Sequence, residues 1–256
     1  MTSPKRSQRI HIVIPDTQVS SDVPTDHLSW AGQFIVDEYA GTDLAIIHLG
    51  DHWDMPSLSS YDKGKKTMEG RRVKKDVQAG NKAFRLLDAP LAKCSTKTSW
   101  KPEKHFLFGN HEDRITRACE IDAQIDGLLT LEALDTLDWK RHAFLKPLHL
   151  DGIAYAHYFY VPNTGRPYGG MAETRLKQLG RSFTQGHQQG LQMAQRSVLG
   201  KRTRALIAGS FYQHSEEYRG PQASDEWRGI LVKHNVNAGD YDLSEVSLGY
   251  LKKRYG

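Results

Sequence analysis

Three apolar runs in the first half of the chain each end in side chains able to bind a metal, move a proton or hold an anion. Phe106 to Phe108 stops at Gly109 and is followed by Asn110-His111-Glu112-Asp113-Arg114. Ile10 to Ile14 leads into Pro15-Asp16-Thr17-Gln18, and Leu44 to Leu49 into Gly50-Asp51-His52-Trp53-Asp54. Two later runs end in histidine, at Ala154-Tyr155-Ala156-His157 and at Gly186-His187-Gln188-Gln189. In α/β proteins ligands gather in the crevice at the carboxyl ends of the strands, so these are places where chemistry is expected. If Asp16, Asp51, Asn110, His157 and His187 converge, they supply carboxylates, an amide oxygen and imidazoles. That set is too large for one tetrahedral zinc but natural for two divalent ions sharing a carboxylate. Two metals about 3.5–4 Å apart serve in-line displacement at phosphorus.

The elements that must position these residues follow from the hydrophobic pattern. Arg9 to Ile14 is β-branched and bounded by Pro15, hence a strand. Asp26 can cap a helix reaching about Tyr39, with Leu28, Phe34 and Ile35 on its inner face. Ala45 to Leu49 reads as a strand buried on both faces, giving a parallel pair through a right-handed crossover. After a long polar connection, a helix is expected from Arg72 to Leu87 on Ala83, Phe84 and Leu87. Ala89 to Pro102 then reads as a loop. A helical region follows from Arg114 to Leu137, with Leu128, Leu129, Leu131 and Leu134 for its core.

Beyond Trp139 the pattern turns β-rich. Leu148 to Leu150 and Ile153 to His157, joined by Asp151-Gly152, read as a hairpin with a type I′ turn. Met171 to Leu179 is a short helix ended by Gly180. Ser182 to Thr184, Gln192 to Val198, Arg204 to Ala208, Gly229 to His234 and Glu245 to Leu248 are further strands. The expected fold class is α/β (an α+β sandwich): two mixed β-sheets packed face to face and flanked by helices. No repeat or linker marks a boundary, so residues 1–256 read as a single domain.

In this order the motifs resemble the calcineurin-like metallophosphoesterases, over Asp16 to about Ser210. The family pattern is Asp-x-His, Gly-Asp-x-x-Asp, Gly-Asn-His-Glu/Asp, a lone histidine after a strand, and Gly-His-x-His. The resemblance implies a four-layer fold and a dinuclear, metal-dependent phosphoric ester hydrolase acting on monoesters or diesters through a metal-activated water. It implies that Asp51 bridges the ions, that Asn110, His157 and His187 complete one site, and that Asp16 belongs to the other. His111 would be the general acid toward the leaving group, oriented by Asp54. Gln18 and Gln189 stand where the family has histidine, both on the Asp16 ion. That oxygen-rich set favours Mn²⁺ as the cofactor, with Mg²⁺, Fe²⁺ or Zn²⁺ as other candidates. His52 reads as structural. Arg114 reads either as a substrate-phosphate ligand or as a helix-surface residue. Met55 replaces the arginine of the protein serine/threonine phosphatases, so the pattern is closer to stand-alone phosphoesterases of bacteria and their phages.

Composition narrows the alternatives. The chain has 256 residues, 38% of them apolar, and a formal charge of +5. No stretch approaches the roughly 18 apolar residues of a membrane span. Met1 to Arg9 is polar and basic, without the apolar region of a secretory signal. Cys94 and Cys119 are too few for a disulfide framework, so a cytoplasmic setting (of the host, if phage-encoded) is expected. Positive charge is concentrated between Lys63 and Lys75, either as a solvated face or as a rim for a nucleic acid. A metal-dependent DNA nuclease, exo- or endonucleolytic, is therefore the main alternative to a small-molecule phosphoesterase. A non-catalytic member with one weakened metal site is the third reading. Oligomeric state has no signature here.

Overall fold

The computed structural model describes residues 9–215 and 226–256; of the polar start, only Arg9 is among them. The chain runs β1 (Ile10–Ile14), α1 (Asp26–Tyr39), β2 (Leu44–His48), α2 (Val73–Lys97), β3 (Glu103–Leu107), α3 (Arg114–Ile121) and β4 (Lys140–His142). It continues with β5 (Leu148–Leu150), β6 (Ile153–Ala156), α4 (Ala172–Leu179), β7 (Phe183–Gln185), β8 (Leu191–Val198) and β9 (Lys201–Ala208). After the undescribed residues come β10 (Gly229–Asn237), β11 (Asp240–Ser247) and α5 (Leu248–Tyr255).

These strands form two mixed sheets, ordered β11-β10-β1-β2-β3-β4 and β5-β6-β7-β9-β8. β1 to β4 are parallel neighbours, and β10 joins β1 antiparallel. In the second sheet β6, β7 and β9 are parallel, with antiparallel β5 and β8 at the edges. The α/β class with two mixed sheets is thus as expected.

All five residues of β1 and of β2 are buried, because both faces of the sheet are covered. Alternate side chains serve different layers, as the period of 2 in a strand requires. Ile10, Ile12 and Ile14 pack with Leu28, Phe34 and Phe84 of the helices, whereas Val13, Ala45, Ile47 and Leu49 meet Ile153, Tyr155 and Leu206 of the second sheet. The far face of that sheet packs Phe183 and Ile207 under Ala172 and Leu176 of α4. Helices, sheet, sheet and helix therefore share continuous cores. Among the described residues no helix is long and apolar enough to cross a membrane.

Between the sheets lies a polar chain. Lys233, fully buried, donates from Nζ to the Tyr155 hydroxyl at 3.2 Å and to Thr184 Oγ1. The same hydroxyl is 2.7 Å from His11 Nδ1, and His11 Nε2 is 2.9 Å from Asp151 Oδ2. The rings of Tyr155 and Tyr241 face the ammonium at 4.5 and 4.4 Å. Burial, with the Arg204 charge, still pushes the Lys233 ammonium well below its ordinary value, and these partners offset part of that cost.

The structure departs from the sequence expectations in places. α2 continues through Pro90 to Lys97 instead of giving way to a loop. A proline inside a helix removes one hydrogen bond, but here buried Leu91 extends the apolar face beyond it. Gly32 of α1 leaves room for the crossing, since a Cβ there would lie 2.3 Å from the Leu87 carbonyl. The region expected to be helical to Leu137 is helical only to Ile121. Asp122 is extended, its Oδ1 accepts from Gln124 N at 3.1 Å, and Gly127 has φ +80°, so turn chemistry ends the helix. Leu134 is buried as expected, but Leu128 is 84% exposed. The Asp151-Gly152 turn has φ of 49° and 83°, the type I′ geometry expected.

Two measurements check this account. Phe84→Ala, which opens the cluster of Trp53, Phe106 and Trp139 rings, is expected to cost about 3–5 kcal/mol in urea unfolding, while Leu128→Ala stays within about 0.5 kcal/mol. Burial, with the Lys233 charge, pushes His11 down from 6.5 to about 4. Between those values the unfolded chain takes up a proton that the folded chain refuses, so stability falls as pH falls. His11→Gln should flatten that slope by up to one proton, roughly 1.4 kcal/mol per pH unit.

Candidate metal centre

The carboxyl ends of β1, β2 and β3 and those of β6 and β7 open on the same crevice. Their loops are cross-linked by the backbone. Thr17 N and Gln18 N both donate to the Asp51 carbonyl, at 3.2 and 2.9 Å, and Val19 N donates to the His52 carbonyl at 2.7 Å. Phe211 N donates to the Asp16 carbonyl at 2.8 Å, which ties the end of β1 to the segment after β9. Gln18, Asp51 and His187 have φ of 41°, 49° and 65°. Left-handed non-glycine residues cost on the order of 1–3 kcal/mol each and persist where their surroundings over-determine them, typically at functional sites.

Asp51 is 2% exposed. Its Oδ1 accepts from His111 N at 2.9 Å, and its Oδ2 lies 3.3 Å from His157 Nε2. Gly109 is required beside it, because a Cβ there would stand 2.1 Å from Asp51 Oδ1. His157 Nδ1 donates to the Leu49 carbonyl at 2.9 Å, so Nε2 turns toward Asn110 Oδ1, 2.8 Å away. Hydrogen bonds of this kind fix the tautomer of a metal-ligating histidine. Atoms of Asp51, His157 and His187 lie within 4.8 Å of one another, close enough to hold one divalent ion. Burial and His157 push His187 down to about 4, leaving it neutral and able to ligate. Burial alone disfavours an imidazolium at His157, but Asp51 and Asp16 raise it to about 9.

Asp16 is fully buried; Oδ1 accepts from His187 N at 3.1 Å, and Oδ2 has no hydrogen-bond partner. Gln18 Oε1 is likewise buried without a hydrogen-bond partner. Two such oxygens after one strand have the chemistry of ligands for a hard divalent cation. Burial and the Asp51 charge push Asp16 up to about 7. Gln189 also lines the cavity, its Oε1 accepting from Tyr212 at 2.7 Å.

His111 Nδ1 is 2.8 Å from Asp54 Oδ1. Burial opposes the charged ring, yet Asp51 and Asp54 hold His111 above its ordinary value. Arg114 opens α3 and lines the cavity. Its guanidinium donates to the Asp54 and Met55 carbonyls at 2.7 and 3.2 Å and to His111 Nε2 at 3.0 Å. His52 is structural, as expected, between Thr17 Oγ1 at 2.7 Å and the Gly80 carbonyl at 3.0 Å.

Sequence reasoning gave Glu112 no role. Fully buried, it accepts four backbone N–H groups: His52 and Trp53 on Oε1 at 2.7 and 3.0 Å, Asp51 and Gly109 on Oε2 at 3.0 and 2.7 Å. It binds the loop after β2 to the loop after β3. The signal available was its place in Gly109-Asn110-His111-Glu112, an acid beside a glycine turn rich in unpaired N–H groups.

No protein-family model matches the chain, and it matches no curated protein.

Glu112→Gln tests the tie. One oxygen becomes an amide facing two donors, so the isosteric change is expected to cost about 2 kcal/mol or more in urea unfolding. A cost near zero would mean that the loops hold without it.

Proposed function

We propose that this chain is a metal-dependent phosphoester hydrolase of the calcineurin-like metallophosphoesterase kind. The observation that carries this reading is the adjacency of two arrangements in one crevice. One is the convergence of Asp51, His157 and His187; the other is the His111–Asp54 pair. Metal ligands alone would serve storage or structure, whereas ligands beside a carboxylate-oriented imidazole suit hydrolysis.

Asn110, His157, His187 and Asp51 would hold one ion, and Asp16, Gln18 and Asp51, with Gln189 at the rim, the second. Divalent ions in such positions lower the pKa of a water molecule and neutralise charge on phosphoryl oxygens. The protein's own part is proton delivery. Asp54 Oδ1, 2.8 Å from His111 Nδ1, would steady the imidazolium by its charge, so that Nε2 can present a proton to the leaving oxygen. Arg114 has to yield its contact with that nitrogen as substrate enters, and its two bonds to backbone carbonyls keep it near. The intact His111–Asp54 pair counts against a non-catalytic protein.

With Mn²⁺ added, aryl phosphomonoester and phosphodiester hydrolysis should separate the roles. His111→Gln should lower kcat by about 10²–10⁴-fold with metal content unchanged, and Asn110→Ala should lower metal content first. Background rates shared by the unaltered protein and His111→Gln would end the hydrolase reading. Identical defects in the two variants would end this division of labour.

A further inference from the structure

The crevice is larger than a phosphate needs. Asp51, Asn110, His187 and Gln189 line a cavity of about 1220 Å³, above the roughly 300–1,000 Å³ of most small-ligand pockets. The connection between β2 and α2, which holds the basic segment singled out in the sequence, forms another part of its wall. There Lys65 and Arg71 are spent on Asp62, at 3.3 and 2.8 Å. Asp76 is buried and accepts from Ser57 N at 3.0 Å. Arg72 and Lys75 are exposed on this wall, and among the described residues no carboxylate lies within ion-pair distance of either. Arg72 Nη1 only donates to the Arg71 carbonyl, at 2.8 Å. Exposed Asp22 and Glu69 are carboxylates on the same cavity lining, and Tyr61, 82% exposed, adds an aromatic face.

Resting on the hydrolase reading, we propose that the substrate of this centre is a single-stranded nucleic acid. The scissile phosphodiester sits by Asp51 and His187, a neighbouring phosphate on Arg72 and Lys75, and a base against Tyr61. A cation pair away from the reacting phosphorus has no use for a lone monoester. A flexible strand suits a floor buried as deeply as Asp51 and Gln18, both 2% exposed; a duplex, stiff over about 50 nm, resists such bending. Aromatic stacking also requires an unpaired base. Hydrolysis adds water across one P–O ester bond. The hydroxyl joins phosphorus, the bonding pair leaves with the ester oxygen, and a proton by way of His111 ends on that oxygen.

Two readouts test this. The first is binding of a labelled oligothymidylate in EDTA, followed by fluorescence anisotropy across a salt series. Each single-strand phosphate contact contributes about 0.7 to the log–log salt slope, so Arg72→Ala/Lys75→Ala, which removes the one phosphate contact they share, should reduce it by about 0.7. Tyr61→Ala should weaken binding and leave the slope alone. The second is kcat/KM with Mn²⁺ for the oligonucleotide relative to bis(4-nitrophenyl) phosphate, a ratio expected to fall about tenfold or more in the double variant. Aryl diester turnover with salt slope and ratio both unaffected by the double variant overturns this inference alone, as does equal affinity for duplex. Absence of turnover with both substrates overturns the hydrolase reading and this inference with it.

Discussion

Buried carboxyl groups at the strand ends are the constraint around which the molecule is arranged. Asp16, Asp51 and Glu112 are each at most 2% exposed, and ionised carboxylates in such places need donors or cations. The fold supplies donors from a different loop in every case: His187 N for Asp16, His111 N for Asp51, and N–H groups from Asp51 to Trp53 for Glu112. The charge that would attract metal ions is thus also what knits the loops together. His111 and His157 keep the Asp51 carboxyl far below its usual range in spite of burial, which alone would raise it. Burial and the Asp51 charge move Asp16 and Glu112 the other way, each up to about 7.

Much of this arrangement is legible in the sequence, because strand ends in an α/β chain are local events. An apolar run stopped by glycine or proline and followed by Asp or Asn puts such a side chain at the carboxyl end of a strand, as at β1, β2 and β3; β6 runs straight into His157, and β7 reaches Gly186-His187 from the mixed run Phe183-Thr184-Gln185. The hairpin turns with consecutive positive φ, Asp151-Gly152, Leu199-Gly200 and Ala238-Gly239, are similarly local. What could not be read depends on tertiary contact. Pro90 should have ended α2, but packing beyond it keeps the helix. Leu128 shares the apolar character of Leu134, and only the Asp122 turn decides which of them is buried. β4 is three residues of Lys140-Arg141-His142, polar enough to pass for loop, and is a strand because β3 needs a neighbour.

The two halves of the chain meet through unlike means. Near the site the sheets are joined by backbone hydrogen bonds and the Asp16–Ser210 bridge. Farther back they are joined by apolar side chains and by the Lys233–Tyr155–His11–Asp151 chain. A polar chain inside a core is a poor source of net stability but a strict one of geometry, since every member must be satisfied at once. It fixes how β6 and β7, which carry His157 and His187, lie against β1 and β2.

The four N–H bonds of Glu112 bear on when ordering entropy is lost. Loops held by protein donors and acceptors surrender their freedom as the chain folds, not as ions arrive. Small zinc domains are the opposite case, folding only around their metal. Under the proposed reading the centre here would release and recapture ions while the chain stays folded. Its metal content would then follow the ions around it at any moment rather than those present when it was made.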